Sequence, residues 1–133
     1  RRHSFPTRRS SDLAAEAAKL GIRNVICNRP DGEEPDQPTA QQAIDWLADA
    51  GIQSFHHQPI VAPQANANDA RQFAAQLEAA EGAVLAYCRT GTRSSLLWAI
   101  GQVQAGRNAS EVVAEVQQKT GLDLSPFAAK LVP

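Results

Sequence analysis

The chain has 133 residues, the length of one domain with a single hydrophobic core. Its 13 Lys and Arg stand against 14 Asp and Glu, a formal net charge of −1, so we expect no nucleic acid partner held by bulk charge. No apolar run is long enough to cross a bilayer and two cysteines are too few for a disulfide scaffold, so we expect no membrane partner and a reducing, cytoplasmic location.

The first 13 residues differ in character from the remainder. They resemble one reading frame of a sequencing-library adapter, so we expect a non-native segment over 1–13 and the native domain over 14–133. The alternative is a basic, disordered tail that binds nucleic acid or membrane. Because residues 1–13 hold four arginines and one aspartate, the native domain carries 9 basic and 13 acidic residues, a net charge near −4. This charge argues further against a polyanionic partner.

Hydrophobic periodicity predicts that helices and strands alternate along the domain. The predicted strands are the short apolar runs 22–27, 52–60 and 83–87. The predicted helices are 13–20, 39–50, 68–81, one that opens near 94, 108–119 and a short one from 125, with Thr39, Asn68 and Asn108 as expected caps. This alternation is typical of βαβ units, a parallel sheet and helices on both faces. Ligands bind beyond the carboxyl ends of such strands, and the loops 28–38, 61–67 and 88–94 leave that edge.

The loop after the third predicted strand carries the strongest functional signal. It joins a strand to a helix, and the first turn of a helix leaves N–H groups unpaired and carries a partial positive charge. These amides, with Arg89 and Arg93, favour the thiolate of Cys88 over its thiol, so Cys88 is a candidate nucleophile. The alternative is a buried, inert cysteine followed by a basic turn.

The remaining residues of this loop fit the binding of an anion. Gly91 permits a positive φ angle and a close approach of the backbone. Arg93 offers two parallel N–H groups to a tetrahedral oxyanion. Ser94 can cap the helix or donate a hydrogen bond to the sulfur of Cys88.

Other polar residues give weaker signals. Cys27 ends its strand at the same edge as Cys88, so it is either a resolving thiol or a small buried apolar residue. His56 and His57 point to opposite faces of one strand and lack ligand spacing, so no metal site is expected. Arg29 either adds positive charge to the cleft or pairs with a glutamate of the loop 28–38.

Two motifs, in their order along the chain, resemble a known family. They are Ile22-Arg-Asn-Val-Ile followed by Asn28-Arg-Pro-Asp-Gly-Glu-Glu-Pro-Asp-Gln-Pro38, and then Ala86-Tyr-Cys-Arg-Thr-Gly-Thr-Arg-Ser94. Together they resemble the phosphatase-like domain of the beta-lactamase hydrolase-like protein family over most of residues 14–133. The resemblance implies an α/β fold of the protein tyrosine phosphatase type, close to its dual-specificity branch, with a small, mostly parallel four-stranded-type sheet flanked by helices. It also implies that the first strand is missing, where residues 1–13 stand.

The resemblance further implies a cysteine-dependent hydrolase. Cys88 would attack the phosphorus of a phosphomonoester, and Arg93 with the loop 89–94 would hold the phosphoryl oxygens. The other loop residues implied to bind substrate are Arg89, Thr90, Gly91, Thr92 and Ser94. The substrate would be a phosphoester on a small molecule or a protein, and the reaction needs no metal and no other cofactor.

A carboxylic acid should protonate the leaving oxygen in such a reaction. In dual-specificity phosphatases this Asp lies on the loop that here is 61–67, which contains no acid. Asp69 lies close by, but an Asp in the first turn of a helix is favoured by the helix dipole alone. Asp31 and Asp36 on the loop 28–38 are the better candidates, and Asp31 is assigned the catalytic role, with a solvated turn residue as the alternative.

The spacing inside the cysteine loop departs from the phosphatase pattern. Tyrosine phosphatases place five residues between Cys and Arg, whereas four separate Cys88 from Arg93. Cys-Arg-x-Gly-x-Arg-Ser resembles the active loop of single-domain rhodaneses, which need no general acid. The alternative is therefore a rhodanese-like sulfurtransferase that passes sulfane sulfur from a donor through a Cys88 persulfide. A metallo-hydrolase or persulfide-oxidising domain, either fused to this chain or acting as its partner, would favour sulfur chemistry. The third interpretation of the chain is a non-catalytic anion-binding module.

Overall fold

A small parallel sheet forms the centre of the molecule. The computed structural model describes the backbone of residues 10–132 and the side chains of residues 14–132. In that part of the chain three strands lie in the spatial order β2-β1-β3: β1 (Ile22–Cys27), β2 (Ser54–His57) and β3 (Ala83–Tyr87). The α-helices are α1 (Ser10–Lys19), α2 (Ala40–Asp49), α3 (Ala67–Ala79), α4 (Thr92–Gln104) and α5 (Ala109–Thr120), and short 3-10 helices cover Ala62–Gln64 and Ser125–Lys130. The predicted α/β class with a small parallel sheet is confirmed.

The register of the strands brings their carboxyl ends together. Cys27, the last residue of β1, lies beside His57 of β2 and beside Tyr87 of β3, and both pairings are parallel. The segments that follow the three strands therefore leave the same edge of the sheet, as the sequence predicts. This edge is where the predicted site residues meet.

The two faces of the sheet bury separate apolar clusters. Side chains alternate along a strand, so Val25 and Leu85 point to one face while Ile26 and Ala86 point to the other. The first face packs against α1 and α2, through residues such as Ala14, Ala17 and Leu47. The second face packs against α3, α4 and α5, through residues such as Phe73, Leu97, Ile100 and Val112. The cysteine loop and α4 thus start from a strand that is covered on both sides.

Helix caps explain where two helices begin. Thr39 caps α2 as predicted, because its side chain accepts a hydrogen bond from the N–H of Gln42 while Gln42 bonds back to the N–H of Thr39. The predicted cap Asn68 of α3 is wrong: Asn66 and Asp69 form the reciprocal capping pair, at 3.0 and 3.1 Å. The helix therefore starts at Ala67.

The second strand is shorter than the predicted run 52–60. β2 ends at His57, and the backbone beyond it bonds to the end of β1, with Gln58 N donating to Cys27 O at 2.8 Å and Ile60 N donating to Asn28 O at 3.0 Å. The apolar Ile60 is buried in the core without belonging to the strand. Apolar character alone does not distinguish a residue of a strand from a buried residue that follows the strand.

The predicted non-native segment 1–13 falls mainly on residues 1–9, which lie outside the described residues, and otherwise on the first turn of α1.

Among the described helices, none combines the length and the apolar character that a membrane span requires.

Two leucines in contrasting places test the two-cluster core. Leu85 of β3 is 1% exposed and packs among the residues that face α1 and α2, whereas Leu20 is 64% exposed. We expect Leu85→Ala to lower the free energy of unfolding by about 2–5 kcal/mol, through lost burial and a cavity. Leu20→Ala should change it by less than about 0.5 kcal/mol, since its side chain already contacts solvent.

Urea denaturation followed by circular dichroism measures both changes. Equal effects of the two substitutions would contradict the burial of β3 beneath α1 and α2.

Candidate active site

The buried side chain of Asn28 joins the three segments at the carboxyl edge of the sheet. It lies directly after β1 and is fully buried. Its Nδ2 donates to the carbonyl of Gln58 at 3.0 Å, and its Oδ1 accepts a hydrogen bond from Ser94 Oγ at 2.7 Å. Its backbone N–H donates to Tyr87 O at 2.7 Å. The cysteine loop is therefore fixed to the ends of all three strands through one residue, which the sequence analysis did not single out.

The cysteine loop has the strand-to-helix form that the sequence predicts. Cys88 follows β3 directly and is 5% exposed. Gly91 takes the left-handed backbone conformation, with a φ angle of 91°, at the position before α4. This turn lets the N–H of Gly91 donate to Cys88 Sγ at 3.2 Å. Arg93 and Ser94 lie in the first helical turn, where N–H groups point out of the helix end.

The surroundings of Cys88 favour its thiolate. Burial by itself raises the pKa of the Cys88 thiol, because a charge is removed from water. Hydrogen bonds from the backbone N–H groups of Ser94, Arg93, Thr90 and Gly91 outweigh burial and hold the pKa below its ordinary value. The loop thus stabilises negative charge at Sγ, the property that a cysteine nucleophile needs.

Arg93 stands beside this sulfur and is held by the other two edge segments. Its Nη1 and Nη2 donate to the two carboxylate oxygens of Glu33, at 2.7 and 2.9 Å, and Nη1 also donates to the carbonyl of Ile60 at 3.0 Å. The side chain is 13% exposed. The negative charge of Cys88 contributes to the raised pKa of Arg93, after the larger effect of the hydrogen bonds to Glu33. The guanidinium therefore carries a fixed positive charge next to the candidate nucleophile.

Five charged side chains form a continuous row around this edge, which we call the ion-pair belt: Arg93, Glu33, Arg29, Glu34 and Arg89. Arg29 Nε donates to Glu33 at 3.0 Å and its Nη2 to Glu34 at 2.6 Å, and Arg89 Nε lies 3.2 Å from Glu34. The predicted pairing of Arg29 with a glutamate is thus found. Exposed ion pairs stabilise a fold little, so we expect the belt to add little to the free energy of unfolding.

Two of the acidic residues considered from the sequence as general acids bond at the starts of helices. Asp31 Oδ1 accepts a hydrogen bond from the backbone N–H of Ala40 at 2.8 Å, at the start of α2. Asp69 takes part in the cap of α3, as the helix-dipole interpretation expects. Within residues 14–132, no hydrogen bond or ion pair joins Asp31 to Cys88 or Arg93. The carboxylate that reaches Arg93 is that of Glu33. The sequence analysis considered the glutamates of the loop 28–38 only as partners of Arg29.

Comparison with known proteins identifies the family. The family model of the "Beta-lactamase hydrolase-like protein, phosphatase-like domain" matches residues 5–105, about three quarters of the chain. The chain belongs to this family. A beta-lactamase hydrolase-like protein of Xylella fastidiosa (strain Temecula1) is 35% identical to the phosphatase-like domain over 117 residues, 86% of this chain and 26% of that protein. The chain thus spans about a quarter of the length of the curated relatives it matches.

Solved structures show the same fold. The phosphatase-like domain superposes on a candidate phosphatase of Neisseria meningitidis with a TM-score of 0.88 and 41% identity, covering 98% of this chain and 90% of the other. It also superposes on TpbA of Pseudomonas aeruginosa, a cysteine-to-serine variant in complex with phosphotyrosine, with a TM-score of 0.70 and 21% identity, covering 98% and 76%. The predicted fold of the protein tyrosine phosphatase type is confirmed.

The second cysteine of the phosphatase-like domain has a different environment. Cys27 is 4% exposed, and its Sγ donates to the carbonyl of Arg29 at 3.5 Å. Burial raises the pKa of the Cys27 thiol, and the hydrogen bond to the neighbouring Tyr87 only partly opposes this effect. Both cysteines are free thiols in the structure. The two sulfurs should therefore differ in reactivity.

Alkylation across a pH series measures this difference. We expect the rate of iodoacetamide alkylation at Cys88 to rise with a midpoint below that of N-acetylcysteine, because the loop amides lower the thiol pKa. Cys27 should react slowly at neutral pH, since burial raises the pKa of its thiol. Peptide mass spectrometry separates the two sites, and protein unfolded in urea is the control in which both should react alike. A Cys88 midpoint at or above the reference thiol would contradict the prediction.

Proposed function

We propose that this phosphatase-like domain hydrolyses phosphate monoesters through a covalent phosphocysteine at Cys88. The observation that carries the proposal is the position of Cys88 Sγ, which accepts a hydrogen bond from the N–H of Gly91 at 3.2 Å in the loop that also carries Arg93. The loop amides lower the pKa of this thiol. A tetrahedral anion with three oxygens fits a ring of N–H donors next to a fixed cation.

The reaction would have two steps. In the first, Cys88 Sγ attacks phosphorus, an S–P bond forms and the bond from phosphorus to the ester oxygen breaks, while an acid gives that oxygen its proton. In the second, water attacks phosphorus and gives a proton to the carboxylate formed in the first step, the S–P bond breaks with its electron pair returning to Sγ, and inorganic phosphate leaves. Arg93 and the loop would bind the phosphoryl oxygens throughout, through Arg89, Thr90, Gly91, Thr92 and Ser94. Neither step needs a metal or a redox cofactor.

The comparisons support a phosphoester as the substrate class. The relative with 41% identity is a candidate phosphatase, and the TpbA variant with the same fold holds phosphotyrosine. We accordingly propose a phosphoester on a small molecule or a protein as substrate. A mechanism that depends on a free thiolate suits a reducing, cytoplasmic environment. The fused or partner hydrolase domain stays a prediction, since the chain matches only about a quarter of its curated relatives.

The first test of this function exchanges each cysteine for serine. We expect Cys88→Ser to lower kcat with p-nitrophenyl phosphate by roughly 10³-fold or more, since other enzymes lose at least this much without their nucleophile. Cys27→Ser is the matched control, because Cys27 is equally buried and lies outside the proposed reaction. Arg93→Lys should lower kcat/KM by roughly 10²-fold, as it keeps the charge but loses the paired N–H groups.

Intact mass spectrometry completes this test. A phosphoryl adduct on rapidly quenched wild-type protein that is absent from Cys88→Ser would support the phosphocysteine. Full activity of Cys88→Ser would overturn the mechanism. Exposure to thiosulfate is the second arm: a gain of one sulfur atom at Cys88, without phosphatase activity, would instead establish the sulfurtransferase alternative.

Asp31 remains the proposed general acid. One of its carboxylate oxygens bonds to Ala40 N, and its side chain lies on the loop that also carries Glu33. We expect Asp31→Asn to lower kcat about 10²-fold for an alkyl phosphate, whose leaving group needs a proton, and far less for p-nitrophenyl phosphate, whose leaving group does not.

The matched control is Asp36→Asn, on the same loop. If Asp31 serves only to cap α2, Asp31→Asn would instead lower the unfolding midpoint and affect both substrates equally. That outcome would remove Asp31 from the mechanism.

A further inference from the structure

In the part of the chain that the structure describes, three of the five N–H groups of Arg93 make hydrogen bonds. A guanidinium offers one donor at Nε and two at each Nη, all in one plane. Both donors of Nη1 are used, by a Glu33 oxygen at 2.7 Å and by the Ile60 carbonyl at 3.0 Å. One donor of Nη2 bonds to the other Glu33 oxygen at 2.9 Å. Glu33 therefore takes the end of the guanidinium, where the two Nη atoms lie side by side.

Within residues 14–132 no hydrogen bond uses the opposite edge of the guanidinium, so this edge is open to a ligand. It consists of Nε–H and the second N–H of Nη2, which are parallel and match two oxygens of a tetrahedral anion. Cys88 also contributes to the raised pKa of Arg93, so the guanidinium lies close to the candidate nucleophile while Glu33 stays bound at its end. The geometry lets Arg93 bind a carboxylate and a phosphoryl group at the same time.

We propose that Glu33 is a positioning residue, which turns the Nε edge of Arg93 towards the anion site above Cys88. This inference rests on the proposed phosphatase function. An arginine side chain has several rotatable bonds and gains binding strength when its orientation is set before the ligand arrives. The two hydrogen bonds to Glu33 and the one to Ile60 supply that orientation from two separate segments of the chain.

Glu33 is itself held in place. Arg29 Nε donates to the same carboxylate oxygen that Arg93 Nη2 contacts, at 3.0 Å. The backbone N–H of Glu33 donates to Gln37 Oε1 at 3.1 Å, and Gln37 Nε2 donates to the carbonyl of Pro30 at 2.8 Å. Two hydrogen bonds through Gln37 thus restrain the loop that carries Glu33. A carboxylate that is held by hydrogen bonds of its own can fix the orientation of a guanidinium, whereas a mobile carboxylate cannot.

The chain provides a matched control in the neighbouring residue. Glu34 carries the same charge, also pairs with Arg29 and otherwise pairs with Arg89 at 3.2 Å. Within the described part of the chain it makes no ion pair with Arg93. Glu33→Gln and Glu34→Gln therefore change the net charge equally but differ in their effect on the orientation of Arg93.

The experiment measures binding of tungstate, a tetrahedral oxyanion, by titration calorimetry, together with kcat and KM for p-nitrophenyl phosphate. We expect Glu33→Gln to weaken tungstate binding and to lower kcat/KM by about 10-fold, while Glu34→Gln changes each by less than about 2-fold. Lysine cannot present two parallel donors, so in an Arg93→Lys background Glu33→Gln should change tungstate binding by less than about 2-fold. A role limited to stability would not produce this dependence on residue 93.

Three results would overturn the proposal. Equal weakening of tungstate binding by Glu33→Gln and Glu34→Gln would show that Glu33 acts only through the net charge of the protein. Tighter tungstate binding in Glu33→Gln would show that Glu33 blocks the site. If Glu33→Gln weakened tungstate binding as much in the Arg93→Lys background as in the wild type, Glu33 would not act through Arg93. If Glu33→Gln fails to fold, Glu33→Asp replaces it: weaker tungstate binding at an unchanged unfolding midpoint supports the proposal, and wild-type binding overturns it. Wild-type protein that neither binds tungstate nor hydrolyses the ester would refute the proposed function itself.

Discussion

The hydrogen bonds of Asn28 set the geometry of the whole carboxyl edge. Its side chain is fully buried, and it bonds at once to the segment after β2 and to the first turn of α4. A buried amide that lost either partner would leave a polar atom unsatisfied, which costs about 1–3 kcal/mol. The cysteine loop, the Ile60 carbonyl and the loop with Glu33 therefore keep fixed positions relative to one another. A site made from three separate segments depends on such a junction.

Around that junction the site balances two opposing electrostatic effects. Burial opposes the thiolate of Cys88, and the amides of the loop favour it. The same low exposure strengthens the interaction of Arg93 with its neighbours, because fewer water molecules screen the charges. The hydrogen bond with Arg93 holds the pKa of Glu33 below its ordinary range, so this carboxylate stays ionised. Burial is thus compatible with a negative sulfur only because the donors are already in place.

Local patterns in the sequence predicted those parts of the structure that local interactions decide. β1 and β3 are short apolar runs with the bounds expected, and the cap at Thr39 and the cysteine loop follow from turn and capping residues. The cap of α3 was misplaced because Asn66 and Asn68 are equally good capping residues, and only the pairing with Asp69 distinguishes them. The family resemblance supplied the fold type, which periodicity alone does not give.

Long-range contacts account for what the sequence could not predict. The ion pair between Glu33 and Arg93 joins residues 60 positions apart, so no local spacing reveals it. Asn28 looked like an ordinary turn residue because its partners, Gln58 and Ser94, lie on other segments. The acid-rich loop was a visible signal, but which of its carboxylates reaches Arg93 depends on how this loop lies against the first turn of α4.

The two hydrogen bonds between Glu33 and Arg93 also have an evolutionary consequence. Replacing Glu33 alone leaves Arg93 without its carboxylate partner at a site where 13% of the arginine side chain is exposed, which selection should disfavour. The two positions should therefore be inherited as a pair among homologues, and an apolar residue at position 33 would mark a lineage in which the arginine has lost its role. Such covariation would let sequence comparisons separate members that keep a working anion site from members that retain only the fold.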